Sequence, residues 1–156
     1  MNKSHKLEAE IESEFGNLYA EVDALRPLLK KVRSVEPDPV EIRAVATTLH
    51  SFYNGVERIL TRILRSYDDG IPSGHNWHRE LLEKAAGATN TRDSVLNKEV
   101  HDRLLEYLAF RHFFRHSYPV NFEWGQMRPL VLPLEETLQA FRESIYRFFA
   151  STREKG

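Results

Sequence analysis

The side chains best suited to chemistry lie in one octapeptide, residues 111–118, which reads Arg-His-Phe-Phe-Arg-His-Ser-Tyr and precedes Pro119. Arginine offers a permanently charged guanidinium that binds phosphate oxygens, and histidine exchanges a proton near neutral pH. These two groups are the minimum equipment for cleaving a phosphodiester without a metal ion. The same residue types also serve as ordinary cationic caps at a helix C-terminus. The octapeptide is therefore the candidate site, and a capped helix end is its structural alternative.

Three interpretations of the octapeptide remain open at the level of residues. His112 and His116 stand four apart, so their rings would share one helix face as paired zinc ligands do, but no third ligand is evident nearby. In the second interpretation, Arg111 holds a phosphate and stabilises the transition state, while His116 moves a proton to or from a ribose or leaving oxygen. In the third, the histidines cap the helix and the arginines are solvated.

The spacing of Arg111 and His116 poses a geometric problem for the second interpretation. Positions five apart on an ideal helix point about 140° away from each other. Either the helix is distorted at His116, near its end, or the site combines residues from two subunits.

Composition restricts the class of protein. With 156 residues, 41% hydrophobic and 29% charged, the sequence predicts a single globular domain over residues 1–156. The absence of cysteine removes disulfides, thiolate zinc sites and a cysteine nucleophile. We expect no signal peptide at residues 1–7, no membrane association and a cytoplasmic location. Because the formal net charge is −1, nucleic-acid binding would require a local basic patch.

Hydrophobic periodicity predicts helices throughout and no strands. The first helix covers about residues 7–32, with Pro27 expected to kink or split it. Asp38, Pro39 and Glu41 form a helix-start signal for the second helix, which ends in the breaker-rich loop 68–74. In that helix, Gly55 marks either a close helix approach or a tolerated defect.

The remaining predicted helices are 77–86, 95–116 and one from about residue 134 to 148, with residues 123–132 undecided as an extension of the last. The fold class is all-α, an antiparallel bundle of four long helices plus a short one. Such a bundle often leaves an apolar face for a partner, so dimerisation is expected.

The pattern Arg111-x4-His116-x-Tyr118 resembles the Arg-x4-His-x-Tyr motif of HepT-type toxins in the HEPN superfamily of all-helical ribonucleases. His112 fills the position that commonly holds a polar residue after the arginine. The motif ends the penultimate long helix of a bundle of the right size. The stretch Phe52-Tyr53-Asn54-Gly55-Val56-Glu57-Arg58-Ile59, the Trp77-His78 pair and Phe110-Arg111-His112 also look like a HepT-like branch of that family.

The resemblance implies a homodimer with the two motifs facing across a shared cleft, which would remove the geometric problem. It implies metal-independent endoribonuclease activity on RNA, with Arg111 and His116 as catalytic residues and no cofactor. It also implies the toxin role in a toxin–antitoxin pair. The implied partner is a minimal (MNT-type) nucleotidyltransferase that adds AMP to the motif tyrosine, here Tyr118, and silences the nuclease.

Several other assignments stay open. His112 and Arg115 are supporting or RNA-binding candidates, although Arg115 equally fits a bystander on the face of Arg111. For Tyr53 and Glu57 we favour a packed tyrosine and a solvated glutamate over a role in the site, and for His78 a packed or capping role. The alternative function is a non-catalytic HEPN module that binds a nucleotidyltransferase or RNA.

Overall fold

A computed structural model describes residues 3–155, and within that range every regular element is helical. The elements are α1 (Lys3–Lys31), α2 (Pro39–Tyr67), α3 (Trp77–Ala86), α4 (Lys98–His116), a 3₁₀ turn (Pro119–Asn121), α5 (Trp124–Val131) and α6 (Leu134–Lys155). The predicted all-α bundle with four long helices is confirmed. The expectation of no signal peptide in residues 1–7 falls partly outside the described range.

The four long helices pack in a closed order, α1 on α2, α2 on α4, α4 on α6 and α6 on α1. Side-chain pairs show that α1 and α2 run antiparallel: Lys31–Glu41, Arg58–Glu14 and Arg62–Glu10. The pairs between α1 and α6 show the same: Arg26–Glu135, Tyr19–Gln139 and Arg153–Glu8. α4 runs antiparallel to α2 and α6, as the pairs Arg111–Asn54 and Phe114–His50, and Tyr107–Thr137 and Val95–Ser144, show. Each long helix therefore neighbours two others of opposite direction.

A stripe of apolar side chains on each long helix fills the centre of the bundle. On α1 the buried members repeat at three- and four-residue steps: Leu7, Ile11, Phe15, Leu18, Val22 and Leu25. Gly55 lies where α1 crosses α2, and a Cβ built on it would stand 2.4 Å from Leu18 Cδ2. Of the two interpretations of Gly55, the structure supports the close helix approach. No helix within residues 3–155 has the length and apolarity that crossing a membrane would require.

The start of α2 follows the sequence signal closely. Asp38 Oδ1 accepts from the backbone N–H of Glu41 at 2.8 Å, and Glu41 Oε1 accepts from the N–H of Asp38 at 3.0 Å. This reciprocal capping box satisfies two backbone N–H groups that have no partner within the helix. Pro39, at the first helical position, has no N–H that would require a partner.

The structure settles two points that the sequence left open and moves one predicted boundary. α1 continues through Pro27 as one helix, so of the expected kink or split the split does not occur. α4 begins at Lys98 and not at Val95, because Asn97 caps it by accepting from the N–H of Val100 at 2.8 Å. Residues 124–131 form the separate helix α5, so the bundle has two short helices where one was predicted.

The chain before α4 is held by a buried ion pair. Arg92 donates to both carboxylate oxygens of Asp68, at 2.7 and 2.9 Å, and to backbone oxygens of Lys84, Gly87 and Asp93. Arg92 lowers the pKa of Asp68, although burial of that carboxyl opposes the shift. The ion pair thereby holds the loop before α4 against the end of α2.

Candidate functional site

The octapeptide forms the last turns of α4 and the extended residues that follow it. Ser117 and Tyr118 leave the helix with extended backbones, at ψ 148° and ψ 142°. The ring of Pro119 disfavours helical conformation at the residue before it, which explains the extended Tyr118. Tyr118 is 78% exposed. Tyr118 therefore lies outside the helix, with its side chain open to solvent.

His116 has a defined hydrogen-bonding state at the end of α4. Its Nδ1 lies 2.8 Å from the carbonyl oxygen of His112, and because a carbonyl only accepts, Nδ1 must carry the proton and donate. In the neutral ring this leaves the lone pair on Nε2. His116 is exposed, and Nε2 has no partner within residues 3–155. The ring can therefore accept a proton from a bound molecule at Nε2.

The side chain of Arg111 contacts α2. It is half-buried, and its Nε donates to Asn54 Oδ1 over a long 3.4 Å. Its terminal nitrogens make no hydrogen bond to the described residues, so the fork that binds phosphate stays open. No hydrogen bond or ion pair joins Arg111 to His116 within the described chain. The structure thus shows both predicted catalytic residues at one end of α4 but does not bring them together.

Asn54 is itself held in place by His50. Asn54 Nδ2 donates to His50 Nε2 at 3.1 Å, and the His50 ring stacks on Phe114 at 4.4 Å between centroids. Burial and the charges of Arg111 and Arg115 lower the pKa of His50, which favours the neutral ring, and in that ring Nε2 accepts from Asn54. His50 and Asn54 therefore position Arg111, a role that the sequence did not indicate. The one sequence feature that could have indicated this role is the four-residue spacing of His50 and Asn54, which places both on one face of α2, next to Tyr53 and Glu57.

The other motif residues lie around this centre. His112 is exposed, and its ring lies 4.3 Å from that of His116. Arg115 is exposed, and its positive charge, like that of Arg111, lowers the pKa of His50. Both arginines therefore lie on the side of α4 that faces His50. Within the described residues, no third acidic or histidine side chain joins His112 and His116 to make a group that could hold a metal.

Glu57 and His78 form a second polar contact beside the candidate site. Glu57 is only 6% exposed, and its Oε2 accepts from His78 Nδ1 at 2.7 Å. The interpretation of Glu57 as solvated is therefore wrong: the start of α3 covers it. Tyr53 is fully buried, as favoured, and burial together with the Glu57 charge raises its pKa far above the ordinary phenol range. His78 also lies against Trp77, with centroids 3.6 Å apart.

Aromatic side chains anchor the end of α4 to the body of the bundle. Phe113 and Phe114 are half-buried and pack against the buried Phe110 and Phe122. Phe113 also lines a surface groove of about 400 Å³ between α4 and α5. The two phenylalanines thus hold the motif against the core while one of them borders an apolar surface.

Comparison with known proteins gives one result. A family model described as HepT-like protein matches residues 44–152, from the first turns of α2 to near the end of α6, and the matched segment includes the octapeptide. No curated protein and no solved structure matches the chain significantly.

Proposed function

The chain belongs to the HepT-like protein family, and from that premise we propose that it is a metal-independent endoribonuclease acting as the toxin of a HEPN/MNT-type toxin–antitoxin pair. The observation that carries the proposal is the state of the octapeptide. His116 presents an unpartnered Nε2, and Arg111 presents an open guanidinium fork at the same end of α4. A cytoplasmic setting, where RNA is present, completes the proposal.

In the proposed reaction, Arg111 binds the phosphate and stabilises the negative charge of the transition state. His116 Nε2 takes the proton of the ribose 2′-hydroxyl, and the 2′-oxygen attacks phosphorus. The bond from phosphorus to the 5′-oxygen breaks, and a histidinium returns a proton to that leaving oxygen. The products are a 2′,3′-cyclic phosphate and a 5′-hydroxyl, and the proposed reaction requires neither a metal ion nor another cofactor.

A homodimer is part of the proposal because the two groups diverge within one chain. Arg111 turns toward α2, whereas His116 folds back on the carbonyl of His112. A second copy placed against this end of α4 would bring His116 of one chain to Arg111 of the other. The half-buried Phe113 and the 78% exposed Val120 supply apolar surface for that contact.

We expect the purified protein to cleave RNA in excess EDTA at the rate seen without chelator. The measurement is the disappearance of a labelled single-stranded RNA, with the ends of the fragments identified by mass. Activity that is lost on chelation and restored by zinc or manganese would instead support the metal interpretation of His112 and His116. A folded protein that binds RNA or a nucleotidyltransferase without any cleavage would support the non-catalytic module.

A mixed dimer should recover activity that neither parent variant has. Chains carrying Arg111→Ala and chains carrying His116→Ala are mixed under conditions that exchange subunits, and RNA cleavage is measured. If the site is composite, one of the two clefts in a mixed dimer keeps an intact Arg111 and His116. The control is a mixture of two batches of Arg111→Ala, which should stay inactive. A strictly monomeric wild type that still cleaves RNA would contradict the prediction.

A further inference from the structure

A second concave surface runs along α2 next to the candidate site. This arginine groove, about 390 Å³, is lined by Asn54, Arg58, Arg62 and Arg65, and the indole of Trp77 at the start of α3 borders it. From position 54 to position 65 the helix rises by about 16 Å, enough to follow a short stretch of nucleic-acid backbone.

Three arginines and one carboxylate line the groove, although the chain as a whole is slightly acidic. Arg58 contacts Glu14 of α1 and Arg62 contacts Glu10, and the two arginines stay 54% and 40% exposed, whereas Glu14 is only 13% exposed. Each guanidinium has five N–H donors, so the exposed ones remain available beside these contacts. Arg65 is exposed and has no ion-pair partner within residues 3–155. The carboxylate that lines the groove, Glu57, is engaged by His78. Phosphate oxygens can therefore bind Arg65 directly and the exposed N–H groups of Arg58 and Arg62.

Trp77 gives the groove an aromatic surface. The indole is half-buried, with His78 against it at 3.6 Å between centroids, and it also lines the groove. Arginines that follow a backbone next to an aromatic ring are the combination by which proteins hold single-stranded nucleic acids, because every unpaired base can stack on a ring. In a duplex the bases are already stacked and paired.

Asn54 connects the groove to the candidate site. It lines the groove, and its Oδ1 also accepts from Arg111 Nε. A strand whose phosphate lies on Arg111 therefore reaches the groove directly as it continues along α2.

We propose that the arginine groove binds the single-stranded RNA that flanks the cleaved phosphodiester, with its phosphates on Arg58, Arg62 and Arg65 and one base stacked on Trp77. This inference rests on the proposed ribonuclease function and adds the substrate class, which is unpaired RNA.

The test measures binding of the wild-type chain to a short, fluorescein-labelled 2′-O-methyl oligonucleotide, which cannot be cleaved because its 2′-oxygens are blocked. Trp77→Ala should weaken binding by at least about fivefold, as loss of one stacked base does, and Trp77→Phe should restore most of the affinity. Arg62→Gln with Arg65→Gln should flatten the dependence of log Kd on log salt by about 0.7 per arginine. Since Arg65 is exposed, Arg65→Gln alone keeps the test valid if Trp77→Ala fails to fold.

The matched control is Arg147→Gln, an exposed arginine on α6 outside the groove, which should bind as the wild type does. Wild-type affinity in the groove variants would overturn the inference and favour a protein partner for the groove. If those variants also cleave RNA normally, the proposed nuclease stands without the groove. If the wild-type chain binds a duplex of the same sequence as tightly as the single strand, the inference that the groove takes unpaired RNA is also overturned. A wild-type chain that neither binds the oligonucleotide nor cleaves RNA would overturn both proposals.

Discussion

Replacing His116 with alanine is expected to lower kcat for RNA cleavage by about a hundredfold to ten-thousandfold, the usual contribution of a positioned acid–base group. The alanine leaves no group near the ribose that can accept the 2′-hydroxyl proton, while Arg111 still binds the phosphate. Because His116 is exposed and bonds only to a backbone carbonyl of its own helix, the variant should keep its helical content and its melting temperature.

Arg111→Ala should lower the rate by about a hundredfold to a thousandfold, as loss of a donor to developing negative charge does. Arg111→Lys should recover only part of that loss, because an ammonium lacks the planar fork that binds two phosphate oxygens. Both sets of variants are assayed on one defined RNA, with circular dichroism as the test of folding. Arg147→Ala, on α6, is the matched control and should cleave as the wild type does. Undiminished cleavage by the folded Arg111→Ala and His116→Ala proteins would refute the assignment of the site.

The second large effect concerns Tyr118. We propose that an MNT-type nucleotidyltransferase transfers AMP from ATP to its phenol oxygen, with loss of the phenol proton and departure of pyrophosphate. Tyr118 is 78% exposed and lies two residues beyond His116. Its backbone carbonyl accepts from the N–H of Asn121, but its phenol hydroxyl has no hydrogen-bond partner within residues 3–155. The adduct would place bulk and negative charge where the RNA phosphate must bind, so RNA cleavage should fall as modification proceeds.

Intact-mass spectrometry after incubation with ATP and the cognate nucleotidyltransferase should show one or more adenylyl groups on the wild type and none on Tyr118→Phe. Tyr118→Phe should also keep its nuclease activity, because the phenol neither holds phosphate nor moves a proton in the proposed reaction. Ser117→Ala removes a neighbouring hydroxyl and should still be modified. The same adduct on Tyr118→Phe, or an unmodified wild type, would rule out this site of control.

Much of the fold was determined by features that the sequence carries locally. The apolar stripe on α1 repeats every three or four residues, and this periodicity alone predicts which side of the helix is buried. The capping box of Asp38 and Glu41 lies within one turn, so the start of α2 could be predicted from neighbouring residues. The same holds for Tyr118, whose extended backbone follows from the proline after it.

The tertiary structure alone decided which polar groups meet. His50, Asn54 and Arg111 form one chain of contacts because α2 and α4 pack antiparallel in a particular register, and no local pattern specifies that register. The sequence predicted a solvated Glu57, but α3 covers this residue and His78 contacts its carboxylate. Helices and their caps arise from interactions within a few residues, whereas a binding groove or a buried polar pair arises from the relative position of distant helices. The sequence could therefore indicate the motif and its helix, but the residues that position Arg111 and the arginine groove beside it required the packed bundle.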